Sequence, residues 1–189
     1  MRKLLLTIVL AGFFASSYSQ HKIIQEKFPV YEGVITKENT NKTELFLKLK
    51  EWVAISFKSA KDVIQFEDKE IGKIVSKGNS SYSINNGTTI LNETVYFTLT
   101  LETKDNRFKY TLEFTSLKSS GIDAPIEKAL VLDLESINNL KYVGKKFKQK
   151  AIESQKSTVK QREENYKEIS STLIQSLLNV GKVESSDDW

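Results

Sequence analysis

Cysteine is absent from this chain of 189 residues, histidine occurs once, and beyond residue 15 no apolar run approaches the length of a membrane span. Each lack closes off some chemistry. Without Cys no disulfide braces the fold, so stability has to come from a core, and no lipid-modified Cys can tie a mature N-terminus to a bilayer. Zinc sites of the usual His and Cys types are excluded, leaving only all-carboxylate variants. The one histidine, His21, sits close to the start of the chain, where backbone is seldom held firmly enough to keep a base within hydrogen-bond distance of a serine. No glycine-rich phosphate loop appears. Surplus charge is also scarce: 28 Lys and Arg face 24 Asp and Glu, a formal net charge of +4. Nucleic-acid binders carry a concentrated basic footprint instead. Nucleic acid, metal ions and cofactors are therefore not expected as ligands.

What is present begins with an export signal. Arg2 and Lys3 give a positive start, residues 4–15 are apolar, and Ser17-Tyr18-Ser19 supplies a small-x-small cleavage site. The apolar stretch falls short of the ~20 residues that a bilayer-crossing helix needs. It reads as a signal peptide over 1–19, removed after Ser19, rather than as an anchor. The expected mature protein is periplasmic or secreted, spans no membrane and is not a lipoprotein. Its 189 − 19 = 170 residues suit one domain with an extension, and loss of Arg2 and Lys3 lowers the net charge to +2.

Residues 20–27 read as a polar leader. The segment 28–36 (FPVYEGVIT) is β-rich, with Val30 and Val34 on one face and Tyr31 and Ile35 on the other. Asn41 followed three residues later by Glu44 resembles a capping box, and Leu45, Leu49, Trp52, Val53 and Phe57 recur at helical spacing, predicting a helix over 43–57. Trp52 on that stripe is read as core rather than as a ligand platform. Two strands follow at 62–67 and 71–77 around a turn at 68–70, with Gly72 and Gly78 marking a bulge or a strand end. Residues 79–92, rich in Ser, Asn, Gly and Thr, read as a loop. The Asn-x-Ser/Thr triplets starting at Asn41, Asn79, Asn86 and Asn92 follow from loop composition and receive no functional role.

The clearest period of two comes next. Val95, Phe97, Leu99 and Leu101, then Phe108, Tyr110, Leu112 and Phe114, alternate with polar residues on either side of a turn at 104–107. Such a hairpin predicts an antiparallel sheet with one covered and one wet face; the Trp52 helix is its cover. Asp123-Ala124-Pro125 reads as a helix start with Pro125 at the first helical position. No element is assigned over 130–147, and a long helix is predicted over 149–179. There Ile152, Val159, Tyr166, Leu173 and Val180 recur every seven residues, but the row three further on is Gln155, Arg162, Ile169 and Ser176, which denies a coiled-coil seam. The helix is expected to dock through Ile169, Leu173, Ile174, Leu177 and Leu178, and residues 181–189 to form a mobile tail.

The order of strand, Trp-bearing helix, two strands, polar loop and hairpin, with GVI at 33–35, LKEWVAISFKSAKDVIQFEDKEIGKIVSKG at 49–78 and RFKYTLEF at 107–114, resembles a family of exported bacterial domains. That family is catalogued as a domain of unknown function with a fold like that of the TATA-binding protein. The resemblance spans about residues 30–117. It implies an α+β domain over 28–120, a curved antiparallel sheet with helices packed on one face, in envelope or secreted proteins of Gram-negative bacteria. A helical C-terminal region over 121–180 then completes the chain. No activity, cofactor or catalytic residue is implied, and DNA binding does not follow from the fold's name, since fold does not fix function. The polar sheet face, with Thr98, Thr100, Glu102, Thr111 and Glu113, also lacks the Lys and Arg that a phosphate backbone requires.

One charge cluster stands out: Lys141, Lys145, Lys146, Lys148 and Lys150, with Tyr142 and Phe147 interleaved and no acid among them. Basic residues with aromatics suit weak contact with an anionic surface, of lipid headgroups or an acidic partner. The plainer reading is a solvated helix start balanced by Glu153, Glu163 and Glu164. Asp and Glu elsewhere sit among lysines, which favours solvated surface over the paired carboxylates of a hydrolase. The sequence therefore predicts a non-enzymatic module that binds a protein or envelope polymer through the wet face or concavity of its sheet. A small-ligand carrier with an apolar cavity between sheet and helices is the alternative, and a carboxylate hydrolase stands behind both.

Overall fold

The computed structural model describes residues 20–24, 30–57, 60–87, 89–130, 137, 139 and 141–180, the side chains of 20–24, 60 and 61 excepted. The signal peptide expected over 1–19 and the tail expected over 181–189 lie outside the described residues.

One antiparallel sheet of seven strands organises the molecule: β1 Gln20–Ile24, β2 Val30–Thr36, β3 Ile64–Asp68, β4 Lys73–Asn85, β5 Ile90–Lys104, β6 Arg107–Ser119 and β7 Ile122–Pro125. Their order is β1-β2-β6-β5-β4-β3, with β7 also pairing β6. β2 takes residues 107–113 of β6, and β7 takes 116–119 of the same edge. The helices are α1 Lys42–Ser56, α2 Ala60–Val63, α3 Ile126–Ala129 and α4 Lys145–Leu178.

The period of two decides which face is covered. Val95, Phe97, Leu99 and Leu101 of β5 and Phe108, Tyr110, Leu112 and Phe114 of β6 are each at most 2 % exposed. They meet Leu45, Leu49, Trp52 and Val53 on one stripe of α1, whose first turn is capped by Asn41, its side chain accepting the Glu44 N–H at 2.9 Å. Full burial of such a side chain contributes about 1.5–3 kcal/mol, so this stripe is the main source of stability. A bulge between Tyr96 and Phe97 leaves Thr115 unopposed. Leu117 thereby joins Phe114 on the inner face after a three-residue step, and the strand bends. Ile126 and Ala129 of α3, and Tyr166 and Leu177 of α4, bury themselves on the same side.

Four expectations change. Part of the supposed leader forms an edge strand: Gln20–Ile24 runs against β2, with Gln20 opposite Val34 and Ile24 opposite Val30, which pairs backbone that β2 would otherwise leave bare. The supposed loop over 79–92 is a β-hairpin, because β4 continues to Asn85 and β5 begins at Ile90. Its inner positions are Gly78, Ser80, Tyr82 and Ile84, and the first two are small or polar where an apolar run would have been read as strand. Gly78 is held to its size by close packing: a Cβ there would lie 2.6 Å from the Phe97 ring and 2.8 Å from the Phe57 ring. Pro125 ends β7 with ψ at 145° and caps α3 from outside, since Ala124 is held extended opposite Leu117. Finally, α4 begins at Lys145, four residues before the predicted start.

Candidate functional site

Where sequence shows only polar strand, α4 supplies the cover, and it does so with charge. The Glu93 side chain on β5 has no exposed surface, and that of Arg162 on α4 is 15 % exposed. Arg162 Nε donates to Glu93 Oε2 at 2.9 Å and Nη2 to Oε1 at 2.6 Å, while Nη1 donates to the Ala129 carbonyl at the end of α3 at 2.7 Å. Tyr82 of β4 donates its hydroxyl to Glu93 Oε2 at 3.2 Å, and its oxygen lies 3.4 Å from that of Tyr166. Tyr166 in turn stacks on Phe114 with centroids 4.8 Å apart. Burial by itself would lower the Arg162 pKa, but the bidentate Glu93 carboxylate outweighs it and holds the guanidinium above its usual value. Burial pushes the Tyr82 and Tyr166 phenols up, so both stay neutral. These groups satisfy one another across β4, β5, α3 and α4; they form a clamp, not a reactive set.

The clamp explains the helix row that denied a coiled coil. Arg162 meets Glu93, Ile169 packs on the core, and Ser176 Oγ accepts the Trp52 Nε1–H at 2.8 Å. That row faces the sheet. Two signals carried it: Arg162 and Ser176 stand two heptads apart on an inward row, and Glu93 is in phase with Val95 and Phe97. The docking residues Ile169, Leu173, Ile174 and Leu178 pack against the core and Leu177 is fully buried.

Beside the clamp, a groove of about 360 Å³ opens between the end of α1, β4 and α4. Phe57, Phe97, Tyr82, Ile169 and Leu173 give it apolar walls, and Asn79, Asn165, Glu168 and Thr172 a polar rim. On the opposite side of the sheet, Thr98, Thr100, Glu102, Thr111 and Glu113 stand half-buried or exposed on the face predicted to be wet. Two ion pairs lie there, Lys109 Nζ with Glu32 at 2.9 Å and Lys73 Nζ with Glu102 at 3.5 Å.

Lys141, Lys145, Lys146 and Lys150 are exposed and Lys148 is half-buried, in the turn before α4 and its first two turns. Tyr142 is 99 % and Phe147 59 % exposed. At 3.6 residues per turn these side chains spread around the helix rather than along one face. His21 lies in β1 opposite Gly33. Among the described residues no group of His, Cys, Asp and Glu is placed to hold a metal ion, and no helix is long and apolar enough to cross a membrane.

No curated protein matches the chain in sequence. Among solved structures it is similar to the crystal structure of a DUF4468 family protein from Bacteroides ovatus, with 13% identity and a TM-score of 0.47 over 79% of this chain and 91% of that one. It is also similar to a TBP-like protein from Parabacteroides distasonis, with 14% identity and a TM-score of 0.45 over 83% and 97%. In sequence, residues 31–118, from β2 to the end of β6, match the model of a family described as a domain of unknown function (DUF4468) with TBP-like fold.

Proposed function

We propose that this protein is an exported, non-enzymatic module that binds a protein or polymer partner through the outer face of its sheet. The observation that carries the reading is one-sidedness. α1, α3 and α4 all bury their residues against the inner face, and among the described residues no helix lies over the outer one. That face is broad, spans β2, β6, β5 and β4, and mixes threonine hydroxyls with Val30, Val75 and Tyr96, all half-buried. Its cations, Lys73, Lys77, Lys104, Arg107 and Lys109, are interspersed with Glu32, Glu102 and Glu113 rather than concentrated into the basic footprint of a nucleic-acid binder. Export is supported by the composition of residues 1–19.

The small-ligand reading has less support. It asks for an enclosed apolar cavity between sheet and helices; the groove beside Tyr82 has the right place, but its rim is polar and open. Native mass spectrometry of the protein recovered from its own cells tests both. The expected spectrum shows a chain beginning at Gln20 with a stoichiometric protein or polymer attached, and the variant Thr98→Glu, Thr111→Glu loses the attached mass. Retention of the partner by that variant sinks the outer-face reading, and an added mass of small-molecule size favours the carrier.

A further inference from the structure

In an antiparallel ladder, successive residues direct their backbone N–H and C=O alternately to the two neighbouring strands. Along β4 the phase is fixed at both ends: Thr103 N–H donates to Gly72 O at 2.7 Å, and Asn86 N–H donates to Thr89 O at 3.2 Å. Even-numbered residues therefore face β5, and odd-numbered ones face the far edge. β3 occupies that edge only as far as Ser76. At Asn85 a side chain occupies it: Gln161 Oε1 accepts the Asn85 N–H at 3.0 Å and its Nε2 donates to Asn85 O at 2.8 Å. This is the bond pair that a residue of an adjacent strand would make. Between these two points, the backbone groups of Asn79, Ser81 and Ser83 have no partner among the described residues.

The groove of about 360 Å³ runs along this bare stretch, with Phe57 on one side and Ile169 and Leu173 of α4 on the other. Unpaired strand edges are templates for another chain. A strand laid here would turn alternate side chains inward, towards Phe57, Ile169 and Leu173, and the others outward beside Asn79 and Ser81. We propose that the groove receives an extended polypeptide segment of a partner protein, which adds as a strand to β4 between β3 and Gln161. The proposal rests on the reading of the protein as a binding module and gives that module a second surface. The chemistry selects a polypeptide: donors and acceptors paired at strand spacing are met by backbone amides, and Glu168 on the rim favours a basic residue in the segment.

The test uses ¹⁵N-labelled protein, a short synthetic peptide of alternating valine and lysine, and its twin N-methylated at the lysines. In the free protein the amides of Asn79, Ser81 and Ser83 are expected to exchange with solvent much faster than those of Ser80 and Tyr82, which face β5. The peptide slows those three, and the twin, deprived of donors, binds about tenfold more weakly or worse. Asn79→Pro removes an edge N–H without touching the β5 ladder and gives the same loss; should that variant fail to fold, the twin peptide still decides. Three slow amides in the free chain, equal binding of both peptides, or shifts at Thr98 and Thr111 instead would each overturn the proposal. So would a doubling of mass with concentration that protects the same amides, because a second copy would then hold the edge. Thr98→Glu, Thr111→Glu leaves the peptide effect intact, so the two surfaces fail or succeed in different samples.

Discussion

At the end of the sheet closed by the turn at Asp105 and Asn106, the inner face is largely apolar: Tyr110, Leu101 and Ile74 lie in one row across β6, β5 and β4, with Ile35 beside Phe108 in the next, under α1. The turn is bolted to the loop before that helix, with Asn106 at φ 62° donating its N–H to Thr40 O and accepting at its own carbonyl from Lys37 N–H, both at 2.8 Å. At the opposite end the inner face runs through Ser80, Tyr82 and Glu93, and its cover is α4, whose Arg162 comes from 69 residues further along the chain. Apolar burial is tolerant of partner and angle; the clamp accepts one partner in one geometry. The first end can collapse on its neighbours in sequence. The second is complete only when α4 has arrived.

Substitution separates the two designs, and the largest effect is expected at the apolar end. Phe108→Ala removes a fully buried ring from beneath α1 and should lower stability by about 3–5 kcal/mol, seen as a lower denaturant midpoint at unchanged slope. No second substitution nearby recovers it without refilling the cavity. Arg162→Met should come close to the same loss, about 3 kcal/mol or more, because it leaves the Glu93 carboxylate buried without its cation. Here rescue is simple. Glu93→Leu together with Arg162→Met should regain most of the loss, since replacing both members of a buried pair by apolar groups is often neutral. If the double variant is no better than Arg162→Met, the clamp is not an isolated pair, and Tyr82 and Tyr166 carry more of it than the geometry implies.

The same contrast explains what was legible in the sequence. The hairpin around Asp105, the α1 stripe and the Asn41 cap are local patterns whose residues recur at strand or helix spacing. The arm of β4 and β5 was hidden because Gly78 is small for the sake of Phe57 and Phe97 and Ser80 follows it on the inner face, so the period of two in hydrophobicity is broken there. Glu93 looked like surface, and a charged residue is core only once its partner is known. Arg162 and Ser176 looked like defects in a helix seam until Glu93 and Trp52 were seen opposite them. The bare edge of β4 is of a third kind: it is defined by where β3 stops, which no local pattern announces.

Alkaline titration probes both ends at once. Burial raises the Tyr110 phenol to about 12 and raises Tyr82 and Tyr166 as well. A group whose folded pKa lies above its unfolded value gives stability that is whole below the unfolded pKa, about 10 for tyrosine, and fades as pH rises through the folded one. The melting temperature should therefore fall progressively above pH 10, with phenolate absorbance from these tyrosines appearing only as the fold is lost. Tyr166→Phe should blunt the decline without removing it, because Tyr110 at the apolar end still contributes. Early ionisation of Tyr82, Tyr110 and Tyr166 in a fold that stays intact would mean that these rings reach water more freely than the packing suggests.

The smallest effect is expected where neither end reaches. The start of α4 has no side-chain cap at Gly144, no acid in its first turn, and lysines at positions 145, 146 and 148, which oppose the positive end of the helix dipole. Substituting Lys145, Lys146 and Lys148 by Glu should therefore raise stability slightly, by about 0.3–1 kcal/mol at low salt. A sequence optimised only for folding would not carry cations there, and two exposed rings, Tyr142 and Phe147, stand among them. If the cluster meets an anionic surface, sedimentation of the protein with anionic vesicles at low salt should be weak, abolished by the triple substitution and abolished by raised salt. Unchanged sedimentation alongside the gain in stability would reduce the cluster to a solvated helix start, and the partner surfaces of the protein would then be those of the sheet alone.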